Sequence, residues 1–341
     1  MQIEILPLSS SLYPAYYQLV QQTKWGNPML PETYNDSLWG DIVLQGRKVV
    51  GGWIGTLRGN HPLTRWLTKS VYFDSYPIFA ANGMEQEYSE VLVRRIRQHA
   101  HKEHIVMLNL THWVRGNSLP IAMESQTEAT FVTDLHLSED ELWHQVESKQ
   151  RNCIRKGEKC GVETLVLQDE QALAYLNDFQ RLRQKTQAHA IHNNAQASML
   201  LKSDRYFADI LRQKSAILYV GKIESQVAAV ALMLQSGQTV YYYSGGSDYL
   251  LNKKYSCSAY LLWKAVCDCK NRGIAFFDMG GVPVQPDESH PAYGVYRFKK
   301  SFGGEYQEFQ GGRIVVAPVK YRMLNLLLSQ RKLLRLFSKK M

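Results

Sequence analysis

The sequence predicts a mixed α+β fold divided between two domains, and three observations support this prediction. The chain has 341 residues, which is too long for one ordinary core and suits two domains of average size. Its composition, with 45% hydrophobic and 21% charged residues, is that of a globular protein. Helix and strand periodicities follow a similar order in both halves, without a readable sequence repeat. A duplicated α+β fold is therefore expected.

The first half combines helices with strands. Its apolar spacing predicts a short helix at 11–22 and a longer one at 84–104. A hairpin is predicted around Gly46, because the turn between two apolar runs needs a residue that tolerates positive φ. Strands are predicted at 41–45, 48–56, 71–80 and 105–110.

The second half begins with a strand at 130–135 and a strong helix start. Ser138 and Glu141 form a capping-box pattern. The helix that they open is acidic at its start and basic at its end, and Gly161 can close it. The elements that follow are strand 162–167, helix 170–187, helix 204–213, and strands 216–223, 226–235 and 239–244.

The net charge of +9 and the pI near 9.1 imply an anionic partner. A nucleotide, a coenzyme, a tRNA and a lipid surface all fit, and charge alone does not choose among them. The longest apolar run, 227–234, is too short to cross a bilayer, and the first residues lack the pattern of a secretory signal. Five cysteines without a framework spacing indicate reduced thiols. A cytoplasmic protein is expected.

The C-terminal residues 318–341 form a basic, amphipathic segment without an acidic residue. Such a helix could lie on the anionic inner face of a membrane. A helix that packs its leucines onto the body of the protein fits the same pattern.

No metal site is expected. Cys267 and Cys269 are two residues apart on a predicted helix and so do not share a face. His99, His101 and His104 cluster locally, but the sequence shows no further ligands for a complete set.

The stretch from Tyr241 to Gly246, YYYSGG, is predicted to end a strand ahead of a helix that starts near Ser256. The amides of a helix N-terminus can bind an anion, and Lys253 and Lys254 would add positive charge. The alternative is a surface loop with solvated lysines, in which Ser256 or Ser258 caps the helix.

The stretch FDMGG places Asp278 at the end of a buried strand, ahead of Gly280 and Gly281. The glycines permit a sharp turn or a close approach to a ligand. A carboxylate in this position needs a hydrogen-bond donor, or its pKa will be perturbed. An ordinary strand-exit turn fits the glycines equally well.

Two basic segments have both a functional and an ordinary interpretation. In GVYRFKKSFGGE, aromatic residues alternate with cations, which fits either a buried face that presents charge to a ligand or an edge strand with solvated charge. In SKQRNCIRKGEKCG, the cations gather at a helix end, which is typical of a solvated face. The cations of the second segment are Arg151, Arg155, Lys156 and Lys159.

Taken in order, these segments resemble the FemXAB-like branch of the GNAT acyltransferase superfamily, from about Glu139 to Gln310. The resemblance implies two GNAT-like acyl-CoA N-acyltransferase domains that face each other across a cleft. We expect an N-terminal domain at 1–137 and a C-terminal domain at 138–317, with helix 318–341 packing back onto the first.

The resemblance also implies the chemistry. Family members transfer an aminoacyl group from a charged tRNA to an amine of a peptidoglycan precursor, and relatives are acetyl-CoA-type N-acyltransferases. Lys299 matches the lysine that the family places beside the reacting ester, so it would stabilise the oxyanion or the leaving group. Asp278 is a candidate general base or a brace of its loop. The implied substrate-binding residues are Arg151, Asn152, Arg155, Lys156, Tyr243, Gly245, Gly246, Lys253, Lys254, Gly280, Gly281, Arg297, Phe298 and Phe302.

Three departures from the family pattern leave the acyl donor open between aminoacyl-tRNA and acyl-CoA, with no permanently bound cofactor. The chain lacks a long coiled-coil arm, so any tRNA contact would involve the body alone. The segment 184–199 lacks an expected arginine pattern for gripping a peptidoglycan precursor, and no pyrophosphate loop of acetyl-CoA-binding GNAT domains is present.

The leading hypothesis is transfer to an amine of an anionic or lipid-linked cell-envelope precursor, either a peptide or an amino sugar. Two alternatives are an acetyl-CoA-dependent N-acetyltransferase of a surface-polysaccharide pathway and a non-catalytic protein that binds tRNA or an anionic membrane. The salt dependence of binding and the formation of a product would separate these classes.

Overall fold

The computed structural model describes residues 3–59, 61–80, 83–116, 123–192 and 202–338, with side chains to residue 329. Parts of two predicted segments, 193–199 and 339–341, lie outside the described residues. The chain divides into two compact units, Met1–Thr127 with Phe309–Met341, and Glu128–Glu308. Among the described residues, no helix is long and apolar enough to cross a bilayer.

Unit 1 is built on a mixed sheet in which β4 and β6 are parallel neighbours, whereas the pairs β1–β2, β2–β3, β3–β4, β3–β5 and β6–β13 are antiparallel. The strand order is β1-β2-β3-β4-β6-β13, and β5 pairs with β3. The elements are β1 (Ile3–Pro7), α1 (Tyr13–Gln21), β2 (Leu38–Gln45), β3 (Lys48–Arg58), α2 (Arg65–Thr68), β4 (Ser70–Phe73), β5 (Ile78–Phe79), α3 (Met84–Lys102), β6 (Met107–Leu110), the end of β13 (Glu305–Val315) and α12 (Pro318–Ser338).

Two predictions for unit 1 can be compared directly with its structure. The hairpin of β2 and β3 is present, and Gly46 has a φ of 64°. The strand predicted at 71–80 is wrong in extent, because β4 and β5 are separate strands on either side of a buried turn. That turn contains Ser75, whose carbonyl accepts a hydrogen bond from the buried Trp53 indole at 2.8 Å.

Unit 2 contains a sheet of strand order β7-β12-β11-β10-β9-β8, in which β11 and β12 are parallel. Its elements are β7 (Glu124–Asp134), α4 (Glu139–Gln145), α5 (Ser148–Lys159), β8 (Glu163–Leu167), α6 (Asp169–Leu173), α7 (Leu176–His192), α8 (Asp204–Leu211), β9 (Ala216–Ile223), β10 (Gln226–Ser236), β11 (Thr239–Ser247), α9 (Tyr249–Tyr255), α10 (Cys257–Asn271), β12 (Phe276–Asp278) and α11 (Tyr293–Lys300).

The core of unit 2 lies beneath α10, which packs on the sheet and against α5. At Gly157 the two helices approach so closely that an added Cβ would lie 2.6 Å from the Tyr260 Cβ. The second face of the sheet is also covered, since α7 packs on β10 and β11. Strands buried on both faces explain the continuous apolar runs of β9 and β10.

The capping box predicted at Ser138 and Glu141 is present, but the single helix predicted from it is wrong. The helix breaks after Gln145, because Val146 and Glu147 adopt extended backbone conformations. Val146 is buried in the core, and this break carries it there. The helix predicted at 170–187 is likewise two helices, α6 and α7.

The aromatic and basic segment around Lys299 forms helix α11, whereas its ordinary interpretation was an edge strand. Tyr296 packs on Phe131 and Tyr306, and Phe298 packs on the buried Phe302. This aromatic packing holds α11 against the core of unit 2.

Candidate active site

The candidate site lies in unit 2, at the end of the parallel strands β11 and β12. Strand β11 has a bulge here, because Met233 pairs with Tyr242 while the preceding Leu232 pairs with Ser244, which makes Tyr243 the extra residue of the bulge. A bulge adds one residue to a strand and thereby reverses the side-chain alternation beyond it. Simple alternation would place Tyr242 and Ser244 on the same face of the strand. Because of the bulge, Tyr242 faces Lys299 and Ser244 faces Arg183 of α7.

The turn after β12 is braced by Asp278. This residue is fully buried, and its Oδ1 accepts hydrogen bonds from the Thr130 hydroxyl and the Gly280 amide, both at 2.7 Å. Gly280 has a φ of 72°, a conformation that costs an L-residue roughly 1–2 kcal/mol. The carboxylate of Asp278 therefore stabilises a turn that requires glycine.

Lys299 extends from α11 to this turn. Its Nζ donates a hydrogen bond to the Gly281 carbonyl at 3.0 Å and lies 5.6 Å from the centroid of the Tyr242 ring. The side chain is half-buried. A Cβ added to Gly280 would lie 3.4 Å from the Lys299 Nζ and 2.6 Å from the Tyr242 carbonyl. The turn, the strand and the lysine are thus packed into one cluster.

Tyr242 is the member of this cluster that the sequence analysis missed. Burial raises the pKa of its hydroxyl to about 12, so the ring beside Lys299 stays neutral. A Cβ added to Gly245 would meet this hydroxyl at 2.2 Å and the Val230 carbonyl at 2.7 Å. The predicted ligand glycine Gly245 therefore makes room for Tyr242. Strand alternation is the signal that could have found Tyr242 in the sequence, but the bulge interrupts that alternation.

Gly246 also has a packing role in this structure. A Cβ there would lie 2.6–2.7 Å from backbone atoms of Leu182 and Arg183 on α7. Arg183, which the sequence analysis also missed, is buried and donates from Nε to the Ser244 Oγ at 2.8 Å. Burial lowers the pKa of its guanidinium.

The hydroxyl of Tyr243, a predicted substrate-binding residue, hydrogen-bonds that of Tyr206 at 2.5 Å. This contact joins β11 to α8. The second face of the strand therefore has its own polar cluster, made with α7 and α8.

The predicted cations of α5 and α9 form a second, more exposed group. The Lys156 Nζ donates to the Lys253 carbonyl at 3.3 Å, so the end of α9 lies beside α5. Lys253 and Lys254 are exposed on the last turn of α9. The structure thus brings Lys156, Lys253 and Lys254 together, as a phosphate-binding surface requires.

The other predicted residues of α5 contact the protein itself. Arg151 donates from Nη1 to the carbonyls of His144 and Val146, at 3.2 and 2.5 Å, and caps the end of α4. Arg155 hydrogen-bonds the Asn152 Oδ1 at 3.3 Å, and its guanidinium lies 5.2 Å from the Trp143 ring.

The helix N-terminus predicted near Ser256 is preceded by α9, which Asp248 caps. Ser256 lies between the two helices with a φ of 57°, and its side chain makes no capping bond. The amide of Ser258 donates to the Asn252 Oδ1 at 2.8 Å. The serine capping bond of the ordinary interpretation is therefore absent, because Asn252 of α9 supplies the acceptor. Lys253 and Lys254 are exposed, as that interpretation expects.

The remaining predicted residues divide between core and surface. Phe302 is buried and Phe298 half-buried, with ring centroids 5.3 Å apart, whereas Arg297 is exposed on α11. Among the described residues, no group of three or more His, Cys, Asp or Glu side chains could hold a metal. His99 instead hydrogen-bonds Asp41 and Glu103.

The arrangement around Lys299 can stabilise a developing negative charge. A cation fixed by a carbonyl and a ring, and partly removed from water, interacts more strongly with an oxyanion than a solvated cation does. The Tyr242 ring of β11 and the Gly281 carbonyl in the turn after β12 hold Lys299 in place, so it can act without further reorganisation.

The FemAB family model matches residues 211–329, the part of the chain that contains β10, β11, α9, α10, β12 and α11. The structure of FemX superposes with a TM-score of 0.67 at 15% identity, covering 94% of this chain and 99% of that chain. The chain is FemXAB-like. The resemblance identified from the sequence is thereby confirmed, and so is the acyltransferase class.

Other solved structures share the FemXAB-like fold. L-PGS from Bacillus licheniformis has a TM-score of 0.50 at 12% identity, covering 82% of this chain and 86% of that chain. A tandem GNAT protein from the clavulanic acid biosynthesis pathway has a TM-score of 0.50 at 10% identity, covering 92% and 99%. These matches confirm the mixed α+β, GNAT-like fold. A search of the curated proteins found no match to the sequence.

Proposed function

We propose that this FemXAB-like chain transfers an activated aminoacyl or acyl group to an amine of a cell-envelope precursor, either a peptidoglycan-type peptide or an amino sugar. The nitrogen forms a bond to the acyl carbon, and the bond from that carbon to the ester oxygen or thioester sulfur breaks. The amine loses a proton and the leaving group gains one. Negative charge collects on the carbonyl oxygen between the two events, and stabilising it is the main demand on the protein.

The position of Lys299 is the observation that carries this proposal. Its side chain is half-buried, and its ammonium group is hydrogen-bonded to the Gly281 carbonyl at 3.0 Å and lies beside the Tyr242 ring. We assign it the stabilisation of the oxyanion or the leaving group. Asp278 is a positioning residue in this scheme, because its bonds to Thr130 and the Gly280 amide hold the turn that anchors Lys299.

The exposed cations of α5 and α9 would bind phosphates of the donor or the acceptor. Lys156, Lys253 and Lys254 are close together, and lysine is a common point-charge ligand of phosphate. Arg151 and Arg155 would contribute mainly by supporting α4 and α5, in view of their contacts with His144, Val146 and Asn152.

The FemAB match favours aminoacyl-tRNA as the donor and a peptidoglycan precursor as the acceptor. Acyl-CoA remains the second donor class, because the GNAT-like fold is shared with a tandem GNAT protein. A reaction that uses charged tRNA would take place in the cytoplasm, where a lipid-linked acceptor is reached at the inner face of the membrane.

The test incubates the full chain with each donor and acceptor in separate reactions and measures product mass. One donor is charged tRNA and the other is acetyl-CoA. The acceptors are a muramyl peptide, an amino sugar and, because L-PGS shares the fold, phosphatidylglycerol.

A mass shift of an amine acceptor that depends on one donor supports the proposal and names that donor. A mass shift of phosphatidylglycerol alone would show that the acceptor is a lipid in place of a peptide or an amino sugar. Absence of product with every pair, together with tRNA binding that falls steeply with salt, would favour the non-catalytic alternative.

A further inference from the structure

Unit 1 exposes several large apolar side chains beside a group of cations. We propose that this face, made by α2, the turn before it and α12, docks on the surface of a bilayer that contains anionic lipid. Leu63 is 79% exposed and Trp66 50% exposed, and on α12 Val319 and Leu326 are 72% and 64% exposed. Helix α2 packs against α12, and exposed apolar surface of this kind marks interaction sites.

Four exposed apolar residues of α12 share one side of the helix. At about 100° per residue, Val319, Met323, Leu326 and Leu327 fall within one arc, and all four are exposed. Tyr321 points to another side, where its hydroxyl accepts from Arg313 and donates to Glu124. The helix thus binds the body of unit 1 with one side and presents leucines on another.

A cationic cavity adjoins this apolar face. Its volume is about 370 Å³, and the lining residues are Arg65, Trp66, Lys69, Glu103, His104 and Lys320. It therefore lies where α2 meets the first turn of α12. Such a cavity could receive the phosphate of a lipid headgroup while Trp66 and Leu63 enter the interfacial region, where tryptophan is favoured.

The single acidic residue in the lining is already engaged. The Glu103 Oε2 is 3.2 Å from the Lys69 Nζ, and its Oε1 is 3.1 Å from the His99 Nε2. His99 in turn contacts the buried Asp41 at 2.9 Å. Arg65 and Lys320 consequently dominate the charge that the cavity presents.

Charge and shape favour a bilayer over other partners. Two copies of this face would bring like charges together, which opposes a dimer. Nucleic acid would match the cations but would not cover Leu63 and Leu326. The C-terminal residues 318–341 contain seven lysines and arginines and no acidic residue, which matches an anionic lipid surface.

The experiment measures co-sedimentation of the full chain with vesicles of phosphatidylcholine, with and without about 30% phosphatidylglycerol. Replacing Arg65 and Lys320 with glutamine should weaken binding to the anionic vesicles about thirtyfold at low salt. The paired changes Leu63→Ser with Trp66→Ser, and Val319→Gln with Leu326→Gln, should each weaken it about tenfold.

Two matched controls should bind like the wild type. Leu328 is exposed on the side of α12 opposite the apolar arc, so Leu328→Gln tests for a general loss of helix structure. Lys48 is exposed at the start of β3, so Lys48→Gln tests for a general loss of charge.

Three outcomes would overturn the proposal. One is equal binding to neutral and anionic vesicles, and another is an equal loss in the controls. The third is self-association that Val319→Gln with Leu326→Gln abolishes while vesicle binding stays unchanged, because a second copy would then occupy this face. The test is independent of acyl transfer, so it stands or falls separately from the proposed reaction.

Discussion

Two cationic regions of unit 2 differ in how the protein holds them. Lys299 is half-buried and anchored by the Gly281 carbonyl beside the Tyr242 ring, and a buried carboxylate braces its turn. Lys253 and Lys254 stand exposed on the last turn of a short helix. A cation in fixed, partly dry surroundings can act on one atom, whereas exposed cations act by summed charge that salt screens. The first region therefore suits chemistry and the second suits binding.

The largest effect is expected when Lys299 is changed. Lys299→Met removes the proposed oxyanion donor and should lower turnover about 10²- to 10³-fold without unfolding the protein. Lys300 is the matched control, because it is exposed on the same helix and lies 6.0 Å from the Tyr296 ring. Rates measured with the donor and acceptor pair that gives product should leave Lys300→Met near normal. Near-normal turnover of Lys299→Met would contradict the assignment.

Removing the brace of the turn should reduce both stability and activity. Asp278→Ala leaves the buried Gly280 amide without its acceptor and should lower the free energy of unfolding by about 2–3 kcal/mol. Asp278→Asn keeps an oxygen acceptor and should cost less. Urea unfolding followed by circular dichroism measures both. Equal stability of all three proteins would show that the turn does not depend on this carboxylate.

A third prediction separates backbone strain from disturbance of the cluster. Gly280 and Gly161 have similar φ values, 72° and 76°, but a Cβ at Gly280 meets the Tyr242 carbonyl at 2.6 Å, whereas one at Gly161 meets nothing within 4 Å. Both alanine variants should lose about 1–2 kcal/mol of stability. Only Gly280→Ala should also lower kcat, about tenfold or more, since it displaces Tyr242 and Lys299. Similar kcat values in the two variants would rule out this coupling.

The smallest effect is expected at the exposed cations. The double change Lys253→Gln with Lys254→Gln should raise KM about three- to tenfold at low ionic strength and leave kcat unchanged. The difference from the wild type should shrink as salt is added. Lys214→Gln, at an exposed lysine elsewhere in unit 2, is the control. A KM effect that persists at high salt would indicate a specific contact in place of summed charge.

Local patterns predicted many individual elements correctly. The capping box at Ser138 and the glycine of the β2–β3 hairpin depend on residues within a few positions of each other. The α9 helix was missed, because the sequence shows it only as a short stretch between glycines and Ser256. The aromatic and basic segment was more ambiguous, since its alternation fits a strand while its contacts with Phe131 and Tyr306 favour helix α11.

The sequence by itself determined the α+β class, the order of most elements and the resemblance that singles out Lys299, because these follow from periodicity and local motifs. Only the tertiary structure decided the break at Val146, the bulge at Tyr243 and the place of Tyr242 beside Lys299. Each of these depends on contacts between segments far apart in the chain, such as Thr130 with Asp278. Burial and packing across such distances select one arrangement among several that the local sequence permits.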